Sequence, residues 1–272
     1  MFEGSSRNNV RIMRISKAIQ ITSVAIAVCV LYAPILVVVL FSFNSASRGM
    51  IWEGFSLHWY RDVWSDSTLL TSALNSLKVV VLTCLLSLIG GLSFGYLVSL
   101  ASGRKFIALL SMLFLPILTP DLIGALAQSL FYRSLGIDKG LYTIAISQSF
   151  FGVAYVGLVV SARLRSLDFK QYLLAAASLG ATPHRSFKDH FIPLSMPAAF
   201  SGMALVAALS IQDFLYAFFC GGVGSTTLSV RLYSLVRFGL ATGINVIYVA
   251  VITTAILLLF LSEFSLRKVK AS

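Results

Sequence analysis

Six stretches of this chain carry no charged residue, and most of them are long enough to cross a lipid bilayer as helices. They lie at residues 18–43, 79–103, 106–120, 140–162, 191–212 and 238–262. A membrane-spanning helix needs about 20 mostly apolar residues. Backbone groups inside hydrocarbon must be hydrogen-bonded within their own segment, which favours helices. The sequence therefore predicts an all-α membrane protein.

The predicted protein has six transmembrane helices in a single domain, residues 1–272. The third apolar stretch continues past Asp121 and the fifth past Asp213. The first is too long for the apolar core of a signal peptide and lacks a cleavage site of small residues, so we expect it to be retained. The expected spans are about 18–43, 73–101, 106–132, 140–162, 194–219 and 243–264.

The net charge of +11 is distributed as expected for a membrane protein rather than for a nucleic-acid-binding one, so we expect lipid and no nucleic acid as a partner. Of the 21 Lys and Arg residues, 14 precede the first span, follow the last, or lie between spans two and three or four and five. Basic residues accumulate on the cytoplasmic side of a membrane. Both termini are predicted to be cytoplasmic.

A cytoplasmic loop, residues 163–193, has the signals of two short helices. Asp168 and Gln171 have the spacing of a capping box, and Gly180 suits the end of a helix. Thr182 followed by Pro183 is typical of the start of the next helix.

The first of these short helices is unusually apolar for a cytoplasmic loop. Exposed apolar patches mark binding sites, and its small alanines would let a partner's groove approach closely. The alternative is that the helix packs against the chain's own spans. The predicted contact surface is Leu173, Leu174, Ala175, Ala176, Leu179, Gly180 and Ala181.

This loop resembles the EAA loop of binding-protein-dependent ABC importer permeases. The run Leu174–Gly180, with Pro193 thirteen residues further on, carries the likeness, although Leu174 stands where the family usually has Glu. Short fragments resemble the PotC-like permeases of spermidine/putrescine importers in the same order along the chain, at Tyr32-Ala-Pro-Ile, Phe41-Ser-Phe-Asn-Ser, Gly54-Phe, Trp59-Tyr60, Pro120-Asp121 and Leu209-Ser-Ile-Gln-Asp213.

The resemblance implies a type I ABC importer (MetI-like) permease fold in a bacterial inner membrane, with the apolar loop helix as a coupling helix. It also implies three kinds of partner polypeptide and a nucleotide that one of them binds. These are a second, related permease in a heterodimer, two ATPase subunits, a periplasmic solute-binding protein, and ATP with Mg bound by the ATPase rather than by this chain.

Two carboxylates, Asp121 and Asp213, fall inside predicted spans, where charges are costly and often functional. Both lie about 24 Å from the cytoplasmic ends of their helices at 1.5 Å per residue. With Phe214 and Tyr216 they form a predicted path for an amine-bearing solute, through charge and cation–π contacts. Asp121 also suits the first turn of a restarting helix after Pro120, whereas no capping role is evident for Asp213.

The solute cannot be specified further from these residues. PotC-like permeases usually have two adjacent acids where this chain has Gln212 and Asp213. One charge fewer leaves a polyamine and an opine or amino-acid-like amine both open.

Several other residues have expected structural roles. Gly91 and Gly95 form a Gly-x-x-x-Gly face for helix packing, either within the chain or on a partner. Ser56 is expected to cap a short helix in the outer loop, and His58 to face solvent. The three cysteines, Cys29, Cys84 and Cys220, are expected to be small core residues.

Two rival functions would require features of their own in the sequence. An ion-coupled secondary transporter would require internal repeats and broken helices at mid-membrane. A membrane enzyme would require converging catalytic or metal-binding groups, and neither these nor a Gly-x-x-x-x-Gly-Lys-Ser/Thr phosphate loop is present in the sequence. We therefore expect no catalytic residue, no metal site and no cofactor on this chain.

Overall fold

The computed structural model describes residues 3–46, 51–237 and 243–253. Within these ranges, it describes the exposure of side chains for Lys17 and from Gln20 onward. In these residues the fold is all-α, as predicted, and its one β pairing is an isolated bridge between Asn44 and Phe55. The helices are α1 (Glu3–Phe41), α2 (His58–Ser65), α3 (Ser67–Leu100), α4 (Gly103–Leu118), α5 (Asp121–Ser134), α6 (Leu141–Ser166), α7 (Phe169–Ser178), α8 (Pro183–Ser186), α9 (Ile192–Gln212), α10 (Leu215–Cys220), α11 (Leu228–Arg237) and α12 (Gly243–Thr253).

Four helical segments of the described chain are long and apolar enough to cross a membrane by themselves. They are Gln20–Phe41, Ser67–Leu100, Leu141–Ser166 and Pro183–Gln212. A fifth candidate is the pair α4 and α5, which is bent by 96° at Thr119–Pro120. The predicted third span is therefore not straight, because Pro120 cannot donate the hydrogen bond that would continue α4. The predicted sixth span contains α12, and its remainder lies outside the described residues.

The chain forms two compact units, residues 1–66 with 235–272, and residues 67–234. In the first unit, the loop after α1 folds around Asn44, whose side chain donates to the carbonyl of Ile51 and accepts from the amide of Glu53. The ring of Phe43 stacks on Phe55 and Tyr60.

The predicted cap of the short outer helix is wrong by one residue. Helix α2 begins at His58 with Leu57 before it and has no side-chain cap. The hydroxyl of Ser56 accepts from the amide of His58 and bonds its ring nitrogen instead, 2.7 Å away. His58 is exposed, as expected.

The second unit is built on the crossing of α3 and α6. Gly91 and Gly95 of α3 are buried against Val156 and Val160 of α6. An added Cβ on Gly91 would stand 2.5 Å from the Cβ of Val156. Of the two roles predicted for the Gly-x-x-x-Gly face, packing within the chain or on a partner, the structure therefore shows the first.

The two ends of α3 hold different parts of this unit. At one end, the ring of Tyr96 contacts Phe169 and Phe191, which are both 1% exposed, and so anchors α7 and the start of α9. Near the other end, the side-chain amide of Asn75 donates to the main-chain carbonyls of Gly224 and Thr226. The 21 positions between Asn75 and Tyr96 correspond to about 30 Å of helix.

The cysteines differ in their surroundings. Cys220 is buried and Cys84 is half-buried, as expected of small core residues. Cys29 is exposed on α1, so that expectation is wrong for Cys29. Among the described residues, no three His, Cys, Asp or Glu side chains come together as a metal site.

Candidate functional site: an exposed short helix and an acidic cavity

Helix α7 is the predicted first helix of the loop 163–193, and it starts differently from the prediction. Asp168 adopts the left-handed conformation, φ 51°, and its side chain caps no backbone amide. It accepts a hydrogen bond from the side chain of Gln171 at 3.3 Å instead. The capping box is therefore wrong, since a left-handed Asp168 turns its carboxylate away from the free amides of the first turn.

The end of α7 is as predicted. Gly180 has φ +81°, and its amide donates to the carbonyl of Ala177. The amide of Ala181 donates to the carbonyl of Ala176 at 3.0 Å. This pair of bonds is the Schellman motif, which requires a left-handed residue and so favours glycine.

The predicted contact surface does not lie on one face of α7. Leu174, Ala175 and Gly180 are exposed, and Leu179 is 89% exposed. Leu173 and Ala181 are half-buried, while Ala176 is only 8% exposed because it faces the unit's own core. Ala176 is therefore not on the open side of α7. One side of the helix packs on the chain's own core, and the other side is open.

The predicted second short helix is the beginning of a long one. The hydroxyl of Thr182 accepts from the amide of Arg185, as the Thr-Pro signal predicts. The chain then passes through α8 and one π-helical turn, Phe187–Phe191, directly into α9. The non-helical part of the predicted loop 163–193 is therefore shorter than expected. Phe187 and Phe191 stack on each other and pack on Tyr96, which holds this continuous helical segment in place.

The two carboxylates that the sequence predicts to lie within spans line one cavity of about 380 Å³. Asp121 is exposed in the first turn of α5, at the bend that follows Pro120. Asp213 is half-buried at the end of α9. The wall is completed by Pro116, Ile117, Phe151, Tyr155, Leu209, Gln212, Phe214, Leu215 and Tyr216. All four residues predicted for the solute path therefore lie on this one cavity.

Asp213 has a capping role that was not evident from the sequence. It ends α9, and its carboxylate accepts from the amides of Tyr216 and Ala217 in the first turn of α10, at 3.4 and 3.1 Å. It also accepts from the side chain of Gln148 at 2.9 Å. The predicted fifth span, 194–219, is consequently broken at Asp213 and Phe214 rather than continuous.

Aromatic side chains form much of the cavity wall. Tyr216 is buried, and its hydroxyl fills the space above Gly124 of α5, where an added Cβ would stand 2.5 Å away. Phe214 packs on Tyr233 with ring centroids 4.6 Å apart. The predictions missed Phe151 and Tyr155, which are contributed by α6. Their aromatic character within an apolar stretch does not distinguish them from core residues.

Comparison with known proteins identifies the fold and the family. A family model described as "Binding-protein-dependent transport system inner membrane component" matches residues 91–270. The chain belongs to this family. Its members are transport permeases rather than enzymes, and the membership decides against an ion-coupled secondary transporter.

Curated relatives place the chain nearer to one branch of the family. The spermidine/putrescine transport system permease protein PotC of Haemophilus influenzae is 30% identical over 239 residues, 88% of this chain and 92% of the relative. The putrescine transport system permease protein PotI of Escherichia coli K12 is 34% identical over 222 residues, 79% of each chain. The resemblance to PotC-like permeases is confirmed.

Solved structures support the fold alone, because their sequences are distant. A bacterial ABC transporter involved in the import of the acidic polysaccharide alginate aligns with a TM-score of 0.69 and 17% identity, over 92% of this chain and 96% of that chain. An amino acid ABC transporter crystallised with histidines aligns with a TM-score of 0.56 and 18% identity, over 78% and 100%. The chain has the predicted type I ABC importer (MetI-like) permease fold and is an inner-membrane component.

Proposed function

We propose that this chain is the permease subunit of an ATP-driven importer of a small amine-bearing solute, a polyamine or a related opine or amino-acid-like compound. It forms the translocation path with a second, related permease in a heterodimer. A periplasmic binding protein delivers the solute, and two ATPase subunits hold ATP and Mg. The family description, a component of a binding-protein-dependent transport system, is the observation that carries this proposal.

The proposed ATPase contact is the open side of α7. Leu174 and Leu179 are 63% and 89% exposed on a helix anchored to the core by Phe169. Exposed leucines on a rigidly held helix cost solvation free energy unless a partner covers them. The anchoring of Phe169 and Phe191 around Tyr96 gives a route by which movement of α7 would reach α3 and α9.

The proposed solute site is the acidic cavity. Asp121 and Asp213 supply two negative charges, and Phe214 and Tyr216 supply ring faces that attract an organic cation. The relatives PotC and PotI are named as polyamine permeases, which fits an amine-bearing solute. Gln212 also lines the cavity and keeps it one charge short of an adjacent acid pair.

The ATPase contact is tested by purifying the complete transporter from membranes. We expect an ATPase to copurify with the native chain and to be lost with Leu179→Arg, because a buried unpaired charge at a protein contact costs several kcal/mol. The matched control is Leu135→Arg, also an exposed leucine, next to the opposite end of the unit. Retention of a fully active ATPase by Leu179→Arg would disprove the contact.

The solute site is tested by uptake of labelled putrescine into cells or vesicles containing the complete transporter. Asp121→Asn and Asp213→Asn each remove one negative charge with little change in volume. We expect uptake of the dication to weaken about tenfold or more in each variant, a typical loss for a charged hydrogen bond. Native uptake in both variants, or equal preference for a neutral analogue, would disprove a cation site.

A further inference from the structure

A buried glutamine lies behind the acidic cavity and contacts one of its two carboxylates. Gln148 is 1% exposed in the first third of α6. Its amide group donates to the carboxylate of Asp213 at 2.9 Å, and its carbonyl oxygen accepts from the hydroxyls of Thr83 and Ser210 at 3.2 and 2.5 Å. Thr83 lies on α3 and Ser210 on α9, so Gln148 connects three long helices to the cavity wall.

The bonds of Gln148 admit one orientation of its amide. An amide offers one oxygen that accepts and one nitrogen that donates. A carboxylate has no proton to give, so the nitrogen must face Asp213. The oxygen then receives both hydroxyl protons. Rotating the amide by 180° would place two oxygens against each other and leave the glutamine with a poorer set of partners.

A glutamine at this position has a cost that an apolar residue would avoid. An amide buried without hydrogen bonds costs about 1–3 kcal/mol by mutational measures, so the site is stable only while every partner is present. Val156 and Val160, two and three turns further along α6, show that apolar residues pack well in the same helix. The polar side chain therefore has a use that packing alone does not supply.

Gln148 and the backbone hold the carboxylate from several sides. The amides of Tyr216 and Ala217 approach it from α10, and Gln148 approaches from α6. The hydroxyl of Ser229 additionally donates to the main-chain carbonyl of Asp213 at 2.7 Å. The carboxylate of Asp213 is thus held in one place on the wall, whereas Asp121 is exposed.

We propose that Gln148 is a positioning residue, which orients the carboxylate of Asp213 so that a cationic solute meets a negative charge at a constant place in the cavity. This inference rests on the proposed function, in which the cavity takes a cation. Thr83 and Ser210 act through Gln148, by imposing the orientation of its amide.

The first test is the kinetics of labelled putrescine uptake by the complete transporter in vesicles. Gln148→Leu removes the donor to Asp213 while keeping most of the volume. We expect KM for putrescine to rise about tenfold, with a smaller fall in the maximal rate. The matched control is Gln128→Leu on α5, whose own amide oxygen is buried without a partner. An unchanged KM in Gln148→Leu, or an equal rise in Gln128→Leu, would overturn the positioning role.

The second test separates positioning from simple helix packing. The exchange Gln148→Glu with Asp213→Asn restores a hydrogen bond between the two positions but moves the charge away from the cavity wall. We expect the double variant to unfold in detergent at a temperature closer to that of the native protein than either single variant does. Its KM for putrescine should stay raised. Recovery of both quantities would show that the pair only holds helices together, and would overturn the proposal.

The Asp213→Asn variant alone distinguishes failure of this inference from failure of the proposed function. Native putrescine uptake in Asp213→Asn would show that the charge at this position is not used, and both ideas would fall. Weakened uptake in Asp213→Asn with a native KM in Gln148→Leu would leave the cation site in place and reject Gln148 as its positioning residue.

Discussion

Single glycines set the distance between α3 and α6, the largest helix contact of the second unit. Gly90, Gly91 and Gly95 each face a valine of α6 so closely that no side-chain carbon fits between them. In a membrane, where apolar surface gains little from leaving lipid, such close approach is a main source of helix association. The stability of this unit therefore depends on these three positions having no side-chain carbon.

Gly91→Ala tests this dependence. The new Cβ would stand 2.5 Å from Val156, so the helices must separate, and we expect a loss of about 1–3 kcal/mol in unfolding free energy. Thermal unfolding of the purified protein in detergent measures it. Gly140→Ala is the matched control, because an added Cβ there meets nothing within 4 Å. Equal unfolding temperatures for the two variants would contradict the packing account.

At the scale of elements, α7 is held by its core-facing side and by its C-terminal turn. The turn depends on Gly180, whose φ of +81° is strained for any residue with a Cβ. No neighbouring atom lies within 4 Å of the position that a Cβ would take. A substitution there therefore raises the backbone strain without a steric clash inside the chain.

Gly180→Ala is expected to loosen this turn without unfolding the unit. A strain of about 1–2 kcal/mol corresponds to about five- to thirtyfold faster amide exchange. The amides to follow by hydrogen exchange are those of Gly180 and Ala181, which close the turn. Gly180→Asn, with a residue that tolerates the left-handed conformation, should show a smaller effect. Identical exchange in all three proteins would refute the strain.

The two sides of α7 predict different outcomes for one substitution at neighbouring positions. Ala176→Arg places a charge in the chain's own core and should lower the unfolding temperature of the isolated permease. Ala175→Arg changes an exposed position, so the unfolding temperature should stay near native while solute-stimulated ATP hydrolysis by the complete transporter is lost. Destabilisation by Ala175→Arg, or native stability of Ala176→Arg, would show that the sides are assigned wrongly.

At the scale of the whole molecule, the structure separates two surfaces by the length of α3. Helix α7 packs near Tyr96, and the loop that carries Val223 is bound to Asn75. If α7 is cytoplasmic, as the basic residues predict, then Val223 lies outside the membrane on the other side.

Cysteine labelling in intact cells tests this orientation. In a background with Cys29, Cys84 and Cys220 replaced by alanine, Val223→Cys should react with a membrane-impermeant maleimide added outside. Leu179→Cys should react only after the cells are permeabilised. Both positions are among the most exposed of the described residues, so accessibility does not limit either reaction. The reverse pattern would place both termini outside.

Much of the fold could be predicted from the sequence, because the sequence signals for helix starts and ends act over one or two helical turns. Apolar length predicted the spans, Pro120 and Asp121 predicted a restarting helix, and Gly180 predicted the end of α7. The π-helical turn at Phe187–Phe191 and the 96° bend between α4 and α5 were not predicted. Pro120 accounts for the break between α4 and α5, but the size of the bend and the π-helical turn depend on what packs around them, which the local sequence does not specify.

The contacts around the cavity could be predicted only in part from the sequence. Asp121 and Asp213 could be selected by residue type alone, since a carboxylate within an apolar stretch is costly wherever the chain folds. Only the tertiary structure decided that Asp213 caps α10, that Gln148 holds it, and that Ala176 faces inward. Gln148 and Asp213 are 65 positions apart, and a single glutamine in an apolar stretch does not indicate its partner. The local sequence determines which segments become helices, whereas contacts between distant segments determine what each side chain meets.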